Sequence, residues 1–468
     1  MKSSSGKLLS EGSQFSEGFG WRVCQTGVYS VPFFDFSRQE KRLLDCVFSR
    51  YRNDCFLKKG VVSRENAREA LKALLVRVCR EFDFALEKRR ARVLVDFALA
   101  HTAGFGAFDF FLQDEDLEEV SLACVEKPVF VFHRKKGWLE SNCFFTSVDA
   151  VVDAVNKMAR PLGRRLSFQS PRLNARLLDG SRLHASIAPV ALDGVEVTIR
   201  KFSKDPFCVA DLVACNTLSA FAAAFLWVVL RADVSVVVAG NTGSGKTTTL
   251  NSLFSFLPAK ERFVVTEETP ELNLLQRHVV RTVAFEKGVG MQDLVKDSLR
   301  MRPDRVIVGE VRSKEEVKAL FDCLLAGQAR GAYATMHGRS SKEALARLSS
   351  FGVSRADLQA LDLLIVQRRI PVFDLKTGAS RELRRVTEIS EVVDGEPQVV
   401  FEYDAQSDSL NFVGKSFLLK RVCPTYGCSE KQLLKELQRR GGFLQGLADS
   451  VGRTKFDSKR FFGVVQGF

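Results

Sequence analysis

The stretch of sequence that decides the fold is Gly240-Asn241-Thr242-Gly243-Ser244-Gly245-Lys246-Thr247. It matches G-x-x-x-x-G-K-[ST], the pattern of a phosphate-binding loop. The residues before it, 234–239, are apolar and rich in valine, which predicts a short buried strand. Residues 247–253 predict the start of a helix, so strand, loop and helix follow one another in the order that the motif requires.

The residue types of this loop suit a polyphosphate. Glycines let the backbone N–H groups turn inward and leave room for the ligand, and the following helix adds its unpaired N–H groups and its dipole. Lys246 is expected to reach the β- and γ-phosphates and the Thr247 hydroxyl to hold the metal ion. The predicted cofactors are therefore ATP and Mg²⁺, with a Gly-rich turn as the alternative interpretation. The predicted nucleotide-binding residues are Gly240, Asn241, Thr242, Gly243, Ser244, Gly245, Lys246, Thr247 and Thr248.

Composition describes an ordinary globular protein with a basic surface. Hydrophobic residues make up 46% and charged residues 27% of 468 residues, and the formal net charge is +13. Such a charge favours an acidic partner, either nucleic acid or an anionic membrane surface, although a solvated basic surface explains it equally well. Residues 1–20 contain no apolar run of signal-peptide length, and the eleven cysteines form no C-x-x-C pair. The apolar segment 218–230 is shorter than the roughly 20 residues of a bilayer span, so we expect a core helix capped by Thr217.

Changes in composition and in hydrophobic periodicity along the chain predict five regions. Residues 1–30 are expected to be disordered, 31–103 to be helical, 104–204 to form a small α/β domain, 205–396 the ATPase domain and 397–468 a C-terminal extension. Ser63 is expected to cap the first clear helix, and Asp179-Gly180 to form a hairpin turn. Strands alternate with helices after the phosphate loop, which predicts a parallel, doubly wound sheet.

Acidic residues and a histidine follow three of the later strands. Glu310 follows an apolar strand directly, as expected for a carboxylate that manages Mg²⁺ and the attacking water. Gly309 stands where an aspartate is common, so other acids should lie nearby, and Glu267, Glu268 and Glu271 supply them. A surface turn is the alternative for these three. His337 follows another short strand and would reach the γ-phosphate, although a lone histidine is more often structural.

Together these segments resemble the secretion ATPase superfamily, the ring motors of type II and type IV secretion, type IV pili and archaeal flagella. The resemblance rests on the phosphate loop with its Thr-Thr-Thr-Leu-Asn continuation, the acidic segment 267–272, the segment 302–312 and Thr335-Met336-His337. It extends over 173–202 and 384–391, where the archaeal branch, which serves archaella and archaeal pili, is most similar. It implies an α/β fold with a RecA-like P-loop motor domain containing a parallel doubly wound sheet, preceded by a small α/β domain and an N-terminal helical region.

The same resemblance implies an ATPase that forms a homo-hexamer. Such an enzyme lies in the cytoplasm at the inner face of the cell membrane, and drives a polytopic membrane platform protein to assemble a pilus-like filament or to secrete protein. Contact with an anionic membrane surface fits this setting, and a nucleic-acid partner is not expected. Glu310 then resembles the catalytic glutamate, which with Thr247 holds the metal. Lys246 resembles the phosphate ligand, His337 the γ-phosphate sensor, and Glu267 and Glu271 the acidic box. Arg182 and Arg200 lie in the stretches that supply arginines to the nucleotide.

Departures from the family pattern leave alternatives open. Gln328 stands where the family has the first histidine of its histidine box, and Glu268 replaces an aspartate. A ring subunit whose activity has decayed is one alternative. A nucleic-acid-dependent P-loop motor, similar to a helicase or a DNA-transfer motor, is another, since it would use the positive charge to hold a phosphate backbone.

Overall fold

The computed structural model describes residues 21–23, 29–31, 36–57, 63–134, 136–202, 205–284, 288–327, 329–373, 380–451 and 457–468. The chain divides into two compact units, Met1–Ser203 and Lys204–Phe468. Of the region expected to be disordered, 1–30, only 21–23 and 29–30 lie within the described residues. The predicted boundary after 103 falls inside the first unit, and the one after 396 falls inside a strand of the second.

The first unit, in its described part, joins helices to an antiparallel sheet. The helices are α1 (Arg38–Leu57), α2 (Arg64–Glu81), α3 (Lys88–Thr102), α4 (Phe108–Gln113) and α5 (Val148–Ala159). The strands are β1 (Trp21–Val23), β2 (Leu117–Leu122), β3 (Pro128–His133), β4 (Gly137–Phe145), β5 (Arg172–Arg176), β6 (Arg182–Ile187) and β7 (Val195–Arg200), in the order β1-β4-β3-β2-β7-β6-β5.

Helices and sheet of this unit share one apolar core. Leu71 of α2, Leu94 of α3 and Val120 of β2 are fully buried in the same cluster. The predicted cap is confirmed, because the Ser63 hydroxyl accepts a hydrogen bond from the Asn66 N–H at 3.2 Å. The predicted hairpin is also confirmed, since β5 pairs with β6 in antiparallel register on either side of Asp179-Gly180.

The second unit is built on a nine-stranded sheet, counted within the described ranges. Its strands are β8 (Val236–Gly240), β9 (Phe263–Glu267), β10 (Val279–Val283), β11 (Arg305–Val308), β12 (Gly331–Met336), β13 (Leu363–Phe373), β14 (Ser380–Val393), β15 (Glu396–Asp404) and β16 (Ser409–Phe412), in the order β10-β9-β11-β12-β8-β13-β14-β15-β16. The first six in this order run parallel, as predicted, and the last three are added antiparallel.

Helices cover both faces of this sheet. They are α6 (Val209–Ala214), α7 (Ala220–Leu230), α8 (Lys246–Leu253), α9 (Met291–Ser298), α10 (Lys314–Leu325), α11 (Ser341–Ser350), α12 (Arg355–Leu358), α13 (Phe417–Tyr426), α14 (Glu430–Ser450) and α15 (Ser458–Gly467). Alternate residues of β8 enter two different cores, with Val236 and Val238 in one and Val237 and Ala239 in the other. Because a strand directs successive side chains to opposite faces, two cores confirm the predicted doubly wound sheet.

The apolar segment 218–230 is a core helix, as predicted, but it begins later than expected. α7 starts at Ala220, and the cap is Ser219, whose hydroxyl accepts from the Ala222 N–H at 3.3 Å. Thr217 was the wrong cap because it lies outside the helix, where its carbonyl accepts from the Val386 N–H. Within the described ranges, the helices lack the combination of length and apolar character that crossing a membrane would require.

Candidate phosphate site of the second unit

The phosphate loop follows the central strand of the nine-stranded sheet, at the carboxyl ends of the parallel strands. β8 ends at Gly240 and is flanked by β12 and β13. His337 follows β12, Glu310 follows β11 after one glycine, and Glu267 ends β9. Since the carboxyl ends of parallel strands share one edge of a sheet, the fold gathers the residues that the sequence motifs single out.

Three glycines give the loop its path. Gly243 and Gly245 have φ values of 72° and 96°, which side chains with a Cβ rarely adopt. A methyl group built on Gly240 would lie 2.1 Å from the Gln367 carbonyl oxygen and 2.6 Å from Ser244 Oγ. The loop is therefore closed to any side chain at its first position, where it leaves β8.

Lys246 lies inside the loop rather than on its surface. Its side chain is buried, and Nζ donates to the carbonyl oxygens of Gly240 and Asn241 at 3.2 and 3.3 Å. Burial lowers the pKa of this lysine, while the carboxylates of Glu310 and Glu271 oppose the shift. A desolvated ammonium group at a helix N-terminus is well placed to attract phosphate.

Glu310 is held by two basic side chains. Oε2 accepts from Arg312 Nη2 at 2.6 Å, and Oε1 lies 3.1 Å from His337 Nε2. Arg312 also contacts Glu268, so a chain of polar contacts links the residue after β9 to the residue after β12. Glu310 is 23% exposed on its side chain, which leaves one side of the carboxylate open to solvent.

His337 touches both the carboxylate and the phosphate loop. It faces Glu310, with Nε2 3.1 Å from Oε1, and the Gly240 backbone is near enough to raise its pKa. Its pKa is lowered by burial and by the charge of Lys246, against the raising effect of Glu310. A neutral imidazole at this position can pass a hydrogen bond between the loop and the carboxylate.

Glu267 lies behind the site. Its carboxyl is buried, and Oε1 accepts from the backbone N–H groups of Glu271 and Leu272 at 2.7 and 3.1 Å. Burial raises its pKa, and the two backbone hydrogen bonds oppose this. A methyl group on Gly309 would lie 2.9 Å from Glu267 Cγ, which explains physically why no aspartate stands there. Glu267 thus organises the acidic turn from inside it.

The predicted arginines belong to the other unit, and the histidine-box position is not among the described residues. Arg182 and Arg200 belong to the first unit, where they face one another across β6 and β7. Glu119 of β2 faces Arg200 from the other side. Gln328 lies outside the described residues.

Three residues at this edge escaped the sequence analysis. Arg312 pairs with Glu310, and Gln367 and Arg369 of β13 lie against the loop on the side opposite His337. Gln367 is 1% exposed, and its Nε2 lies 3.0 Å from the position of a methyl group on Gly245. A usable signal was present, because residues 363–366 are an apolar run that ends in a polar residue, as the strand before Glu310 does.

The residues fit a bound nucleotide phosphate chain. Ser244 Oγ is fully buried and has no hydrogen-bond partner in the described part of the chain, and Lys246 lies beside the same loop. Thr247, half-buried at the start of α8, and Glu310 would supply the oxygen ligands that Mg²⁺ prefers. Over the residues that the structure describes, His, Cys, Asp and Glu form no group of three arranged to hold a metal ion by themselves.

Comparison with known proteins places the chain in a family. An uncharacterized protein of Methanocaldococcus jannaschii is 42% identical over 225 residues, which cover 45% of this chain and 31% of that protein. The type IV secretion system protein VirB11 of Bartonella quintana is 28% identical over 242 residues, covering 43% of this chain and 67% of that protein. The solved structure of the ATPase DotB of Yersinia pseudotuberculosis aligns with a TM-score of 0.45 and 16% identity, over 77% of this chain and 92% of DotB. Residues 135–413 match the family model of the type II/IV secretion system proteins, and the chain belongs to that family.

Proposed function

We propose that the chain is an ATP-hydrolysing motor that works as a homo-hexamer. It would power assembly of a type IV pilus-like filament, an archaellum or a pilus, or secretion of protein, through a polytopic membrane platform protein. The observation that supports this best is the contact of Glu310 with His337, which places the carboxylate beside the strand end that carries the phosphate loop. A phosphate-binding loop alone would serve many purposes, whereas a carboxylate fixed beside it serves hydrolysis.

Each residue has a definite task in this proposal. Lys246 and the loop N–H groups hold the phosphates, and Thr247 with Glu310 would hold Mg²⁺, which neutralises the charge that develops on the phosphates. Glu310 orients the water and accepts its proton, for which Oε1 or Oε2 must leave His337 or Arg312. His337 links the position of the Glu310 carboxylate to the phosphate loop. Glu271 adds negative charge near Lys246, and Glu267 holds the turn that carries Glu271.

The family and its named relatives support the cellular setting that we propose. VirB11 is a type IV secretion system protein by name, and a relative from Methanocaldococcus jannaschii favours an archaeal machine. We place the motor in the cytoplasm, bound peripherally to the membrane platform. The net charge of +13 would assist contact with anionic lipid headgroups.

Phosphate release from purified, size-fractionated protein tests the proposal. Lys246→Ala is expected to abolish release, and Glu310→Gln to retain ATP binding while turnover falls by about 100-fold or more, since a positioned base contributes about that much. Lys260→Ala and Glu315→Gln, which change one lysine and one glutamate outside the site, serve as matched controls and should behave as wild type.

Near wild-type turnover of Glu310→Gln would contradict the assignment of the base. The same assay with anionic lipid vesicles and with single-stranded DNA separates the two kinds of acidic partner. Stimulation by vesicles alone agrees with the proposal. Stimulation by DNA alone would favour the nucleic-acid-dependent motor instead.

A further inference from the structure

We propose that Arg369 is a further phosphate-binding residue of this site, contributed by β13 on the side of the loop opposite His337. The inference rests on the proposed function and adds to it a cation that belongs to none of the sequence motifs. It concerns residues of the second unit alone.

The main chain of Arg369 is fastened to the phosphate loop. The ladder between β8 and β13 ends at Gln367, opposite Gly240. Beyond that point, the Asn241 side chain continues the pairing. Its Oδ1 accepts from the Arg369 N–H at 3.0 Å, and its Nδ2 donates to the Arg369 carbonyl at 3.4 Å. The backbone of residue 369 therefore keeps a fixed place beside the second residue of the loop.

The side chain of Arg369 returns to the same loop. Its Nη1 lies 3.2 Å, and its Cδ 3.7 Å, from the position of a methyl group on Gly243. Gly243 is the middle glycine, with φ of 72°, and its lack of a Cβ leaves the space that the guanidinium borders. A guanidinium at this distance presents a planar fork of donors to an anion held by the loop.

The charges on this side of the loop are unbalanced. Arg384 of β14 lies directly opposite Arg369, and its Cδ is 3.9 Å from the position of a methyl group on Gly245. Like charges directly opposite one another destabilise a sheet unless an anion lies between or beside them. Glu382 supplies one carboxylate, 2.5 Å from Arg369 Nη2. Two arginines and the buried Lys246 thus surround a loop built for phosphate, whereas Glu382 is the carboxylate that pairs with Arg369 within the described residues.

Phosphate can replace Glu382 as the partner of Arg369. The Arg369 and Glu382 side chains are 35% and 49% exposed, and ion pairs at such positions contribute little to stability. Phosphate oxygens in the loop would replace one exposed carboxylate with a more highly charged, more buried anion. Glu382 therefore holds the guanidinium near the loop and competes with the ligand for it.

Equilibrium titration with a fluorescent ATP analogue and Mg²⁺ tests the inference. Arg369→Gln is expected to weaken binding by at least about tenfold, in line with the loss of one charge-assisted hydrogen-bonded pair. Arg368→Gln is the matched control, because the neighbouring residue of a strand points to the other face, and it should bind within about twofold of wild type. Arg369→Lys keeps the charge but lacks the planar pair of donors, so its nucleotide affinity should lie between those of the two glutamine variants. It also provides the test if Arg369→Gln does not fold.

Glu382→Gln separates phosphate binding from a purely structural role. Freed from its competitor, Arg369 should bind the nucleotide as well as or better than in wild type. The inference is overturned if Arg369→Gln binds as wild type does, or if Glu382→Gln weakens binding as much as Arg369→Gln, since that pattern would mean that the ion pair only supports the fold. Wild-type protein that binds no nucleotide, or binds as well with Lys246→Ala, would instead overturn the proposed function.

Discussion

Gly309 shows how an absent side chain fixes the place of a carboxylate. Sequence analysis noted that an aspartate is common at this position and expected other acids nearby. The structure supplies the reason, because the Glu267 side chain fills the space that a Cβ on residue 309 would need. One carboxylate, Glu310, thus remains at the end of β11, and the buried Glu267 organises the neighbouring turn.

Gly309→Ala is therefore expected to destabilise the protein. The new methyl group would lie 2.9 Å from Glu267 Cγ, and overpacking of this kind costs about 1–3 kcal/mol in the free energy of unfolding. Urea unfolding followed by circular dichroism measures the loss. In a Glu267→Ala background, which lacks the Cγ atom, Gly309→Ala should cost less than it does in the wild type. Gly442→Ala, in α14 with open space around it, is the control and should not destabilise.

His101 makes the stability of the first unit depend on pH. It packs against Phe97 with ring centroids 4.5 Å apart, and burial together with the charge of Lys157 lowers its pKa to about 3. Between that value and the ordinary 6.5, the unfolded chain binds a proton that the folded chain does not. His101 therefore leaves the free energy of unfolding unchanged above pH 6.5. Below that pH it lowers the free energy of unfolding by up to about 1.4 kcal/mol per pH unit.

Replacement of His101 tests this directly. The free energy of unfolding of the wild type should decrease between pH 6.5 and 5, and that of His101→Gln should decrease less over the same range. Equal slopes for the two proteins would show that other groups account for the acid sensitivity. His184, a partly exposed histidine that faces Glu196, provides the control substitution, His184→Gln.

At the scale of elements, sequence patterns predicted the strands whose ends carry motif residues. The apolar runs before Glu310 and His337 were recognisable because each is short and followed by a polar residue at a known spacing. β13 was missed, although it borders the phosphate loop, since its long pairing with β14 carries it past the apolar run. Tertiary pairing alone sets the register of β13 on β14 and the bulge between Val366 and Gln367. It also creates the contact of Asn241 with Arg369. No periodicity in the sequence encodes them.

The predicted C-terminal extension is joined to the sheet and to its helices. β15 and β16 complete the sheet, and α14 packs on α7. The ring centroid of Phe468 lies 4.2 Å from that of Phe443 and 5.2 Å from that of Trp227. The guanidinium carbon of Arg439 lies 4.0 Å from the same Phe468 centroid. The Gln466 side chain donates to the carbonyls of Ser255 and Leu257, just beyond the end of α8. This last helix therefore supports the far end of the phosphate-loop helix.

Phe468→Ala is expected to lower the stability of the second unit. Because the ring is partly exposed, about 1–2 kcal/mol of aromatic and cation–π contact should be lost. Thermal unfolding monitored by calorimetry gives the measurement. Phe373→Ala is the control, since that ring is 66% exposed and its loss should have little effect. A larger effect at Phe373 than at Phe468 would contradict the importance of the docked helix.

At the scale of the whole molecule, the two units divide the predicted site residues between them. Lys246, Glu310, His337, Glu267 and Glu271 belong to the second unit, whereas Arg182 and Arg200 face one another on β6 and β7 of the first. Sequence resemblance assigned those arginines to the nucleotide, and their role stays a prediction.

Arg200→Ala is predicted to lower turnover more than nucleotide affinity. In the hexameric motor that we propose, an arginine supplied by the first unit would act when the site closes rather than when the ligand first binds. Steady-state phosphate release and equilibrium binding, measured on the same preparation, give the two values. Arg172→Ala, an exposed arginine of β5, is the matched control. Weakened binding with normal turnover at saturating ATP would argue for a structural role of Arg200.

The stacking of Trp227 on Phe256 also provides an intrinsic fluorescence signal. The two ring planes are nearly parallel, with an interplanar angle of 3° and centroids 5.0 Å apart, and the indole is fully buried with its N–H unpaired in the described structure. Phe256 lies just past α8, whose first residue is Lys246. Trp138 is 50% exposed and would emit at longer wavelength. With Trp21 replaced by phenylalanine, the blue edge of the intrinsic fluorescence should therefore report movement at the far end of the phosphate-loop helix without any attached dye.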